Sequence, residues 1–170
     1  CPFTCTFCVE GVGYYNKINK YCHEKISLEL DYIGKKMKSI REKGGRNDLF
    51  IADSNFGMLP SHLDIASYLI KKKSETGYPE KHRVDWAKIH GDRVIQLAKM
   101  FYDAKMDKGI TIALQSMNPK TLEAVRRKNM DDGKLADFLK KYNDSDLPSY
   151  MELILGLPEE TTKSFVDGVC

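Results

Sequence analysis

Apolar positions follow two different repeats along the chain, and the two repeats alternate. The first is the helical repeat, with apolar residues three or four positions apart, and it begins with Leu30, Ile33, Met37 and Ile40. The second is the short apolar run that is typical of a buried strand, at residues 48–53, 84–89, 109–115 and 149–155. Helical repeats precede, separate and follow these runs. The pattern therefore predicts a loop followed by α, β, α, β, α, β, α, β, α.

Residues that start and stop helices lie at the boundaries of these repeats. Gly44 and Gly45 follow the first helical repeat and predict its end. Ser61 with Asp64 predicts a capping box at the start of the second helix. Asn118 before Pro119 predicts a further start, with Asn as the cap. Beyond it, one broken helix or two are expected from Leu122, Val125, Leu135, Phe138 and Leu139, and a last helix begins within residues 161–169.

The alternation of helices and strands predicts an α/β fold with a parallel sheet and helices packed outside it. Four strands are too few to close a barrel of about eight. We therefore expect an open, curved sheet with exposed edges, which a complete domain would normally cover. The chain also begins on a cysteine with no initiator methionine. Residues 1–170 are thus predicted to be one domain that forms part of a longer protein.

Composition narrows the class of protein only slightly. The 170 residues carry 27 Lys and Arg and 24 Asp and Glu, a net charge of +3, with 42% hydrophobic residues. This balance is ordinary for a globular protein and argues against disorder. A charge of +3 indicates neither a nucleic-acid partner nor a membrane surface, and no apolar run is long enough to predict a transmembrane helix.

The five cysteines are unevenly distributed, at Cys1, Cys5, Cys8, Cys22 and Cys170. Their odd number and tight clustering do not resemble a secreted disulfide framework. They indicate metal ligands in a reducing compartment, so a cytoplasmic location is expected. The first three form C-x3-C-x2-C, which suits an iron–sulfur cluster with one iron left for another ligand. A zinc site is the alternative, with Cys22 or His23 as a fourth ligand, and inert thiols are a second alternative.

The C-x3-C-x2-C motif, with the aromatic Phe7 just before its last cysteine, resembles the signature of radical S-adenosylmethionine (radical SAM) enzymes. The resemblance implies that Cys1, Cys5 and Cys8 bind a 4Fe-4S cluster. It implies that SAM binds the fourth iron and is reductively cleaved to methionine and a 5′-deoxyadenosyl radical. Phe7 would lie near the adenine. The implied fold is an open partial βα barrel whose first and last strands lie outside this chain.

In βα barrels the chemistry lies at the C-terminal ends of the strands. The resemblance assigns Asp53, and with less weight Asn55, to the SAM amino group, although DSNFG stands here in place of the family's Gly-Gly-Glu. It assigns Gln115 and Ser116 to the ribose and carboxylate, and Arg127 to the carboxylate. A turn at residues 53–57 and a solvated helix end at Arg127 are the alternatives. His90 follows a strand and is a weak candidate for a ligand contact.

The last predicted strand leads into LILGLPEE, which resembles the family's adenine-side motif G-x-I-x-G-x-x-E. Ile154, Gly156 and Glu159 match this motif. Glu152 stands where the first glycine would be, and a glycine there would let the backbone approach a ligand closely. The motif is weak alone, but its order and spacing after the cysteines support the resemblance.

The stretches DSNFG, LQSMNPKTL and LILGLPEET look most like the cobalamin-binding radical SAM subfamily. That resemblance implies methyl transfer to carbon, cobalamin bound by a domain outside this chain, and a flavodoxin or ferredoxin as electron donor. A tRNA-modifying methylthiotransferase is the alternative enzyme, although the basic residues form no RNA-binding footprint. A non-catalytic zinc or iron–sulfur module, or a degenerate fold without cofactor, is the alternative from another class. Cys22 is expected to be a free thiol.

Overall fold

The computed structural model describes residues 1–88, 91–107, 109–145 and 147–170. Ile89 and His90 lie outside these ranges, so the proposed ligand contact of His90 cannot be placed. The α/β class is confirmed, with helices and short parallel strands alternating along the chain. No helix in the described ranges is long and apolar enough to cross a membrane.

The elements follow the predicted order, after a short 3-10 turn at Val9–Gly11. The helices are α1 (His23–Glu42), α2 (His62–Thr76), α3 (Asp92–Asp103), α4 (Pro119–Ala124), α5 (Asp132–Asn143) and α6 (Thr162–Val169). The strands are β1 (Asp48–Phe56), β2 (Lys81–Trp86), β3 (Ile110–Gln115) and β4 (Ser149–Leu153). The apolar residues after Pro119 thus form two helices, not one.

The strands form two parallel pairs. β1 pairs with β2, and β3 pairs with β4. β2 also contacts β3, but within the described residues no strand ladder joins them. The link is the amide of His82, which donates to the carbonyl of Met106, just before β3. The single four-stranded sheet that the alternation predicts is therefore divided between its second and third strands.

Each pair has an irregular register near its C-terminal end. The shift in the first pair falls between Ile51 and Phe56, and that in the second falls between Ala113 and Gln115. Such irregularities bend a strand and redirect its side chains. Both shifts therefore lie at the edge that was predicted to carry the chemistry.

The helix caps show where local sequence signals succeed and fail. The Asn118 side chain accepts from the amide of Lys120 at 3.0 Å, so the predicted cap of α4 is confirmed. The predicted capping box of α2 is wrong, because Ser61 makes no side-chain cap bond. Its backbone is already helical (φ −62°, ψ −12°), whereas a capping residue is normally extended. A reciprocal capping box occurs instead at α6, between Thr161 and Ser164.

One hydrophobic core joins the two strand pairs with helices α2, α3 and α5. It contains fully buried side chains from β1, α2, α3, β3 and α5, including Phe56, Leu69, Phe101, Ile112 and Tyr142. The Tyr142 hydroxyl donates to the carbonyl of Pro148 at 2.9 Å, so its polar end is satisfied. Because the core is shared, the C-terminal ends of the strands are fixed relative to one another.

The backbone conformation and close packing at Gly109 exclude a side chain, whereas Gly34 has room for one. Gly109 has φ +138°, and a Cβ there would overlap the backbone oxygen of Pro148, which accepts from the amide of Ile110. We expect Gly109→Ala to lower the free energy of unfolding by about 1–3 kcal/mol. Gly34→Ala, in open space within α1, should raise it by about 0.5–1 kcal/mol. Urea unfolding of both variants measures this, and shifts of the same sign would contradict the assignment.

Candidate functional site at the strand ends

The cysteine loop is fixed to the C-terminal side of the strands by backbone hydrogen bonds. The amide of Thr6 donates to the carbonyl of Val125, beyond β3, at 3.0 Å. Within the loop, the amide of Cys8 donates to Cys5 at 3.2 Å, and that of Gly11 donates to Cys8 at 2.9 Å. The loop therefore has a defined course although it contains no strand.

Gly11 and Glu10 lock the far end of this loop. A Cβ on Gly11 would overlap the backbone oxygen of Cys5, so no larger residue fits without a shift. The carboxylate of Glu10 accepts from the hydroxyl of Ser54 in β1 at 2.6 Å. Sequence reasoning missed both contacts, because neither residue belongs to the cysteine motif.

The sulfur of Cys1 lies between two nitrogen donors. Asn55 Nδ2, near the end of β1, is 3.2 Å from Cys1 Sγ, and Lys88 Nζ, just after β2, is 3.4 Å from it. Cys5 is buried and Cys8 is partly buried. Two neighbouring strand ends therefore orient the first cysteine of the motif, and Lys88 is a residue that the sequence did not single out.

Arg127 faces inward. It is only 7% exposed, and it donates to the carbonyl of Ala113 and, at 2.9 Å, to Asn129 Oδ1. Burial lowers the pKa of Arg127, while the neighbouring thiols of Cys5 and Cys8 act in the opposite direction. The alternative of a solvated helix end is therefore wrong for Arg127.

A small cavity beside the cysteine loop has a strongly basic lining. Its volume is about 220 Å³, and its cationic side chains are those of Lys88, Arg126, Arg127 and Lys128. Pro2, Phe3, Thr4 and Cys5 form the other wall. Such a lining attracts anions, including thiolates and carboxylates.

The donor set of the loop suits an anionic cluster. No three His, Cys, Asp or Glu side chains in the described parts of the chain converge on a single metal ion. Thiolates that bind different irons of one cluster do not need such convergence. The sulfur of Cys1 receives two N–H donors, and Arg127 lies near Cys5 and Cys8. A cationic side chain therefore lies near each of the three thiols, which suits thiolate ligands.

Asp53 is held by two hydrogen bonds. Its Oδ1 accepts from the amide of Asn55 at 2.8 Å, and its Oδ2 lies 3.2 Å from His62 Nε2. His62 Nδ1 accepts from the amide of Gly57 at 2.6 Å, which assigns the imidazole proton to Nε2. The ring of Phe56 stacks on that of His62, with centroids 4.6 Å apart. Residues 53–56 belong to β1, so the predicted alternative of a turn at 53–57 holds only for its end, where the carbonyl of Asn55 accepts from the amide of Met58 at 3.0 Å.

The electrostatics of Asp53 favour its charged form. Partial burial raises the pKa of the Asp53 carboxyl, but the hydrogen bonds from His62 and Asn55 outweigh burial and lower it below its ordinary value. Asp53 borders a cavity of about 560 Å³ that Cys1, Asn55 and His62 also line. A fixed carboxylate beside the first cysteine could therefore accept hydrogen bonds from a bound cation.

The second strand pair brings together a different set of predicted residues. Gln115 ends β3 with φ +69°, and its carbonyl accepts from the amide of Ile154 at 2.8 Å. Ser116 is 2% exposed, and its hydroxyl donates to Glu160 Oε2 at 2.6 Å. Gln115, Ser116 and Ile154 thus lie at one strand edge with Glu160.

The motif matches Glu159, but in the structure the side chain of the next residue, Glu160, is the one that faces inward. Glu159 is exposed with φ +63°, and its carbonyl accepts from Asn118 Nδ2 at 3.3 Å. Glu160 is partly buried and accepts from Ser164 Oγ at 2.7 Å as well as from Ser116. The spacing of the motif does not show which of two adjacent glutamates faces the site. The left-handed backbone at Glu159 distinguishes them, because it leaves Glu159 exposed and Glu160 facing Ser116.

The predicted residues thus fall into two groups. Cys1, Asp53 and Asn55 lie together at the end of β1, and Arg127 lies near Cys5 and Cys8. The second group surrounds Ser116 at the ends of β3 and β4. Phe7 is 37% exposed, and Gly156, with φ +86°, is exposed with open space where a Cβ would stand.

The chain is thus an α/β protein in which a three-cysteine loop lies on the C-terminal side of parallel strands, with cationic side chains beside it. The model of the radical SAM superfamily matches residues 1–167. The chain therefore belongs to the radical SAM superfamily, and the family resemblance of the cysteine motif is confirmed.

Two relatives carry functional names. A protein of Streptomyces tokunonensis, named cobalamin-dependent radical SAM methyltransferase TokK, is 36% identical over 169 residues. A protein of Streptantibioticus cattleyicolor, named 2-(S-pantetheinyl)-carbapenam-3-carboxylate methyltransferase, is 34% identical over 169 residues. Each alignment covers 99% of this chain and 24% of the relative. The chain thus spans about a quarter of the length of these relatives, and it belongs to a superfamily of enzymes.

The contact between Gly11 and Cys5 can be tested by a matched pair of variants. Gly11→Ala should displace the cysteine loop, because the added methyl group overlaps the Cys5 oxygen. Gly13→Ala, two residues further on in open space, should leave the loop in place. We expect the iron content after anaerobic reconstitution to fall for Gly11→Ala and to stay unchanged for Gly13→Ala. Equal iron content in the two variants would contradict this role of Gly11.

Proposed function

We propose that this chain is the core of a cobalamin-dependent radical SAM methyltransferase, in which Cys1, Cys5 and Cys8 bind a 4Fe-4S cluster. The observation that carries the proposal is the placement of all three thiols beside nitrogen donors or cations at the strand ends. The names of the two relatives support cobalamin dependence and methyl transfer. The open partial βα barrel and the boundaries 1–170 of the core domain belong to the same proposal.

The cluster, when bound and reduced, supplies the electron that cleaves SAM to methionine and a 5′-deoxyadenosyl radical. The protein's own residues bind and orient the reactants. Asp53, ionised and fixed by His62, accepts from the amino group of SAM. Asn55 Oδ1 is buried and has no hydrogen-bond partner among the described residues, so it offers a second acceptor. Both acceptors line the same cavity as Cys1, so they would hold the amino group on the Cys1 side of the loop.

The carboxylate of SAM is assigned to the basic cavity next to Cys5. Arg127 is already bonded to Ala113 and Asn129, so it contributes mainly a fixed positive charge. Arg126 and Lys128 line the same cavity and are exposed, and they supply free donors. The charge of a carboxylate entering this cavity would be compensated without breaking the hydrogen bonds of Arg127 to Ala113 and Asn129.

The nucleoside of SAM is assigned to the edge formed by β3 and β4. Gln115 and Ser116 face the ribose, with a carboxylate beside them. Ile154 and Gly156 border the adenine, where the open space around Gly156 permits a close approach, and Phe7 covers it from the cysteine loop. A flavodoxin or ferredoxin delivers electrons, and cobalamin is bound by a domain outside this chain.

Cluster chemistry is tested on the protein at its natural length, reconstituted without oxygen. We expect about four iron and four sulfide per chain, absorbance that bleaches with dithionite, and 5′-deoxyadenosine formed from SAM. Changing Cys1, Cys5 or Cys8 to Ala should abolish all three signals. Cys22→Ala is the matched control, because this thiol is exposed at the start of α1.

Two results would contradict the proposal. One zinc and no iron in the wild-type protein would assign the loop to a structural metal. A single Cys1, Cys5 or Cys8 variant with full SAM cleavage would remove that residue from the ligand set. Cobalamin bound after reconstitution, together with transfer of the labelled SAM methyl group to an acceptor, tests the methyltransferase part separately.

Adjacent glutamates allow a sharper test of the nucleoside assignment. The sequence motif favours Glu159, whereas the hydrogen bond to Ser116 favours Glu160. We expect Glu160→Gln to weaken SAM binding about tenfold, equivalent to roughly 1.4 kcal/mol, and to exceed the effect of Glu159→Gln. Equilibrium dialysis with labelled SAM measures both variants. A larger loss for Glu159→Gln would restore the assignment made from the motif.

A further inference from the structure

Lys88 is the residue near the cysteine loop that no sequence motif explains. It follows β2 by two positions, and its ammonium lies 3.4 Å from Cys1 Sγ. The same nitrogen lies 5.6 Å from the ring centroid of Phe3, over the ring face. Lys88 therefore contacts the loop at two points, one of them a cluster ligand in the proposed function.

The charge of Lys88 has few competing partners. Most lysines with a close carboxylate in this structure lie on helices, as in the pair of Lys72 with Asp31 at 2.9 Å. Within the described ranges no carboxylate lies within 4.0 Å of Lys88 Nζ. Among the described groups that can carry a negative charge, the sulfur of Cys1 is thus the one closest to Lys88 Nζ.

Asn55 and Lys88 act on the same sulfur from different strands. The Asn55 amide is 4% exposed and is 3.2 Å from Cys1 Sγ, so it supplies a neutral, rigid donor. Lys88 is partly buried and adds a full positive charge. A charge in this environment is screened less than one at the surface. The two donors therefore differ in kind, and only Lys88 changes the net charge around the ligand.

Hydrogen bonds and positive charge near a ligand sulfur stabilise the cluster state that carries more electrons. We propose that Lys88 is a positioning residue that fixes the Cys1 ligand and raises the reduction potential of the cluster. This inference rests on the proposed function, because it requires a cluster on Cys1. It assigns to Lys88, which lies outside the cysteine motif, an effect on the reduction potential of the cluster.

The test compares Lys88→Met with Lys81→Met in the reconstituted protein at its natural length. Lys81 begins the same strand at its opposite end and is exposed, so the same charge is removed far from the loop. The readout is the ratio of reduced to oxidised cluster at a fixed potential, followed by electron paramagnetic resonance. We expect a fall of about tenfold for Lys88→Met, which is 59 mV for a one-electron couple, and no change for Lys81→Met.

Lys88→Arg completes the design, because it retains the charge and an N–H donor. We expect it to keep the cluster and a potential near that of the wild-type protein. Equal potentials for Lys88→Met and Lys81→Met would overturn the proposal. If the Lys88→Met protein loses the cluster, Lys88→Gln is measured in place of Lys88→Met. Equal reduction potentials for Lys88→Gln and Lys88→Arg would then overturn the proposal. Loss of the cluster in Lys88→Arg as well would also overturn it.

The same measurements separate this inference from the proposed function. A wild-type protein that contains zinc, or no cluster, fails the proposed function before Lys88 is tested. A wild-type protein with four iron, SAM cleavage and a potential that is insensitive to Lys88 keeps the proposed function and removes only the inference.

Discussion

The hydrogen bonds that tie the cysteine loop to the strand ends are the constraint on which the rest of the site depends. The loop has only a short 3-10 turn of its own, so other elements must fix its course. Asn55 and Lys88 orient Cys1, the carbonyl of Val125 accepts from Thr6, and Ser54 donates to Glu10. These contacts come from the ends of β1 and β2 and from the C-terminal end of α4, and buried residues of both strands belong to the shared core. The course of the cysteine loop is therefore fixed by several elements of the fold.

The buried positive charge of Arg127 is compensated by the groups around it. A guanidinium remains charged in proteins, so burial of Arg127 is tolerable only when acceptors and anions surround it. Ala113 and Asn129 accept from two of its nitrogens, and the thiols of Cys5 and Cys8 lie near its charge. These contacts explain why Arg127 is buried and does not lie at a solvated helix end.

Local patterns predict most of the secondary structure and the ligand candidates, because apolar periodicity and cysteine spacing are properties of neighbouring residues. The order of elements and the Asn118 cap follow directly from the sequence. Lys88 and His62 could not be predicted, since their roles depend on contacts across strands. The failure at Ser61 is local, because its sequence suits a cap but its backbone is already helical. The division of the sheet into two pairs could be seen only in the structure, because no local sequence pattern shows which strands pair.

Backbone strain explains how the strand edge presents its polar side chains. Three of the four non-glycine residues with positive φ in the described ranges are Gln115, Arg126 and Glu159. Each immediately precedes a side chain that turns inward, at Ser116, Arg127 and Glu160. A left-handed residue costs about 1–2 kcal/mol, so three at one edge are retained only where surrounding hydrogen bonds enforce them. The amide of Ile154 and the side chain of Asn118 bond to two of them. The left-handed backbone at these points lets the next side chain face inward, which leaves Arg127 buried and Glu160 partly buried.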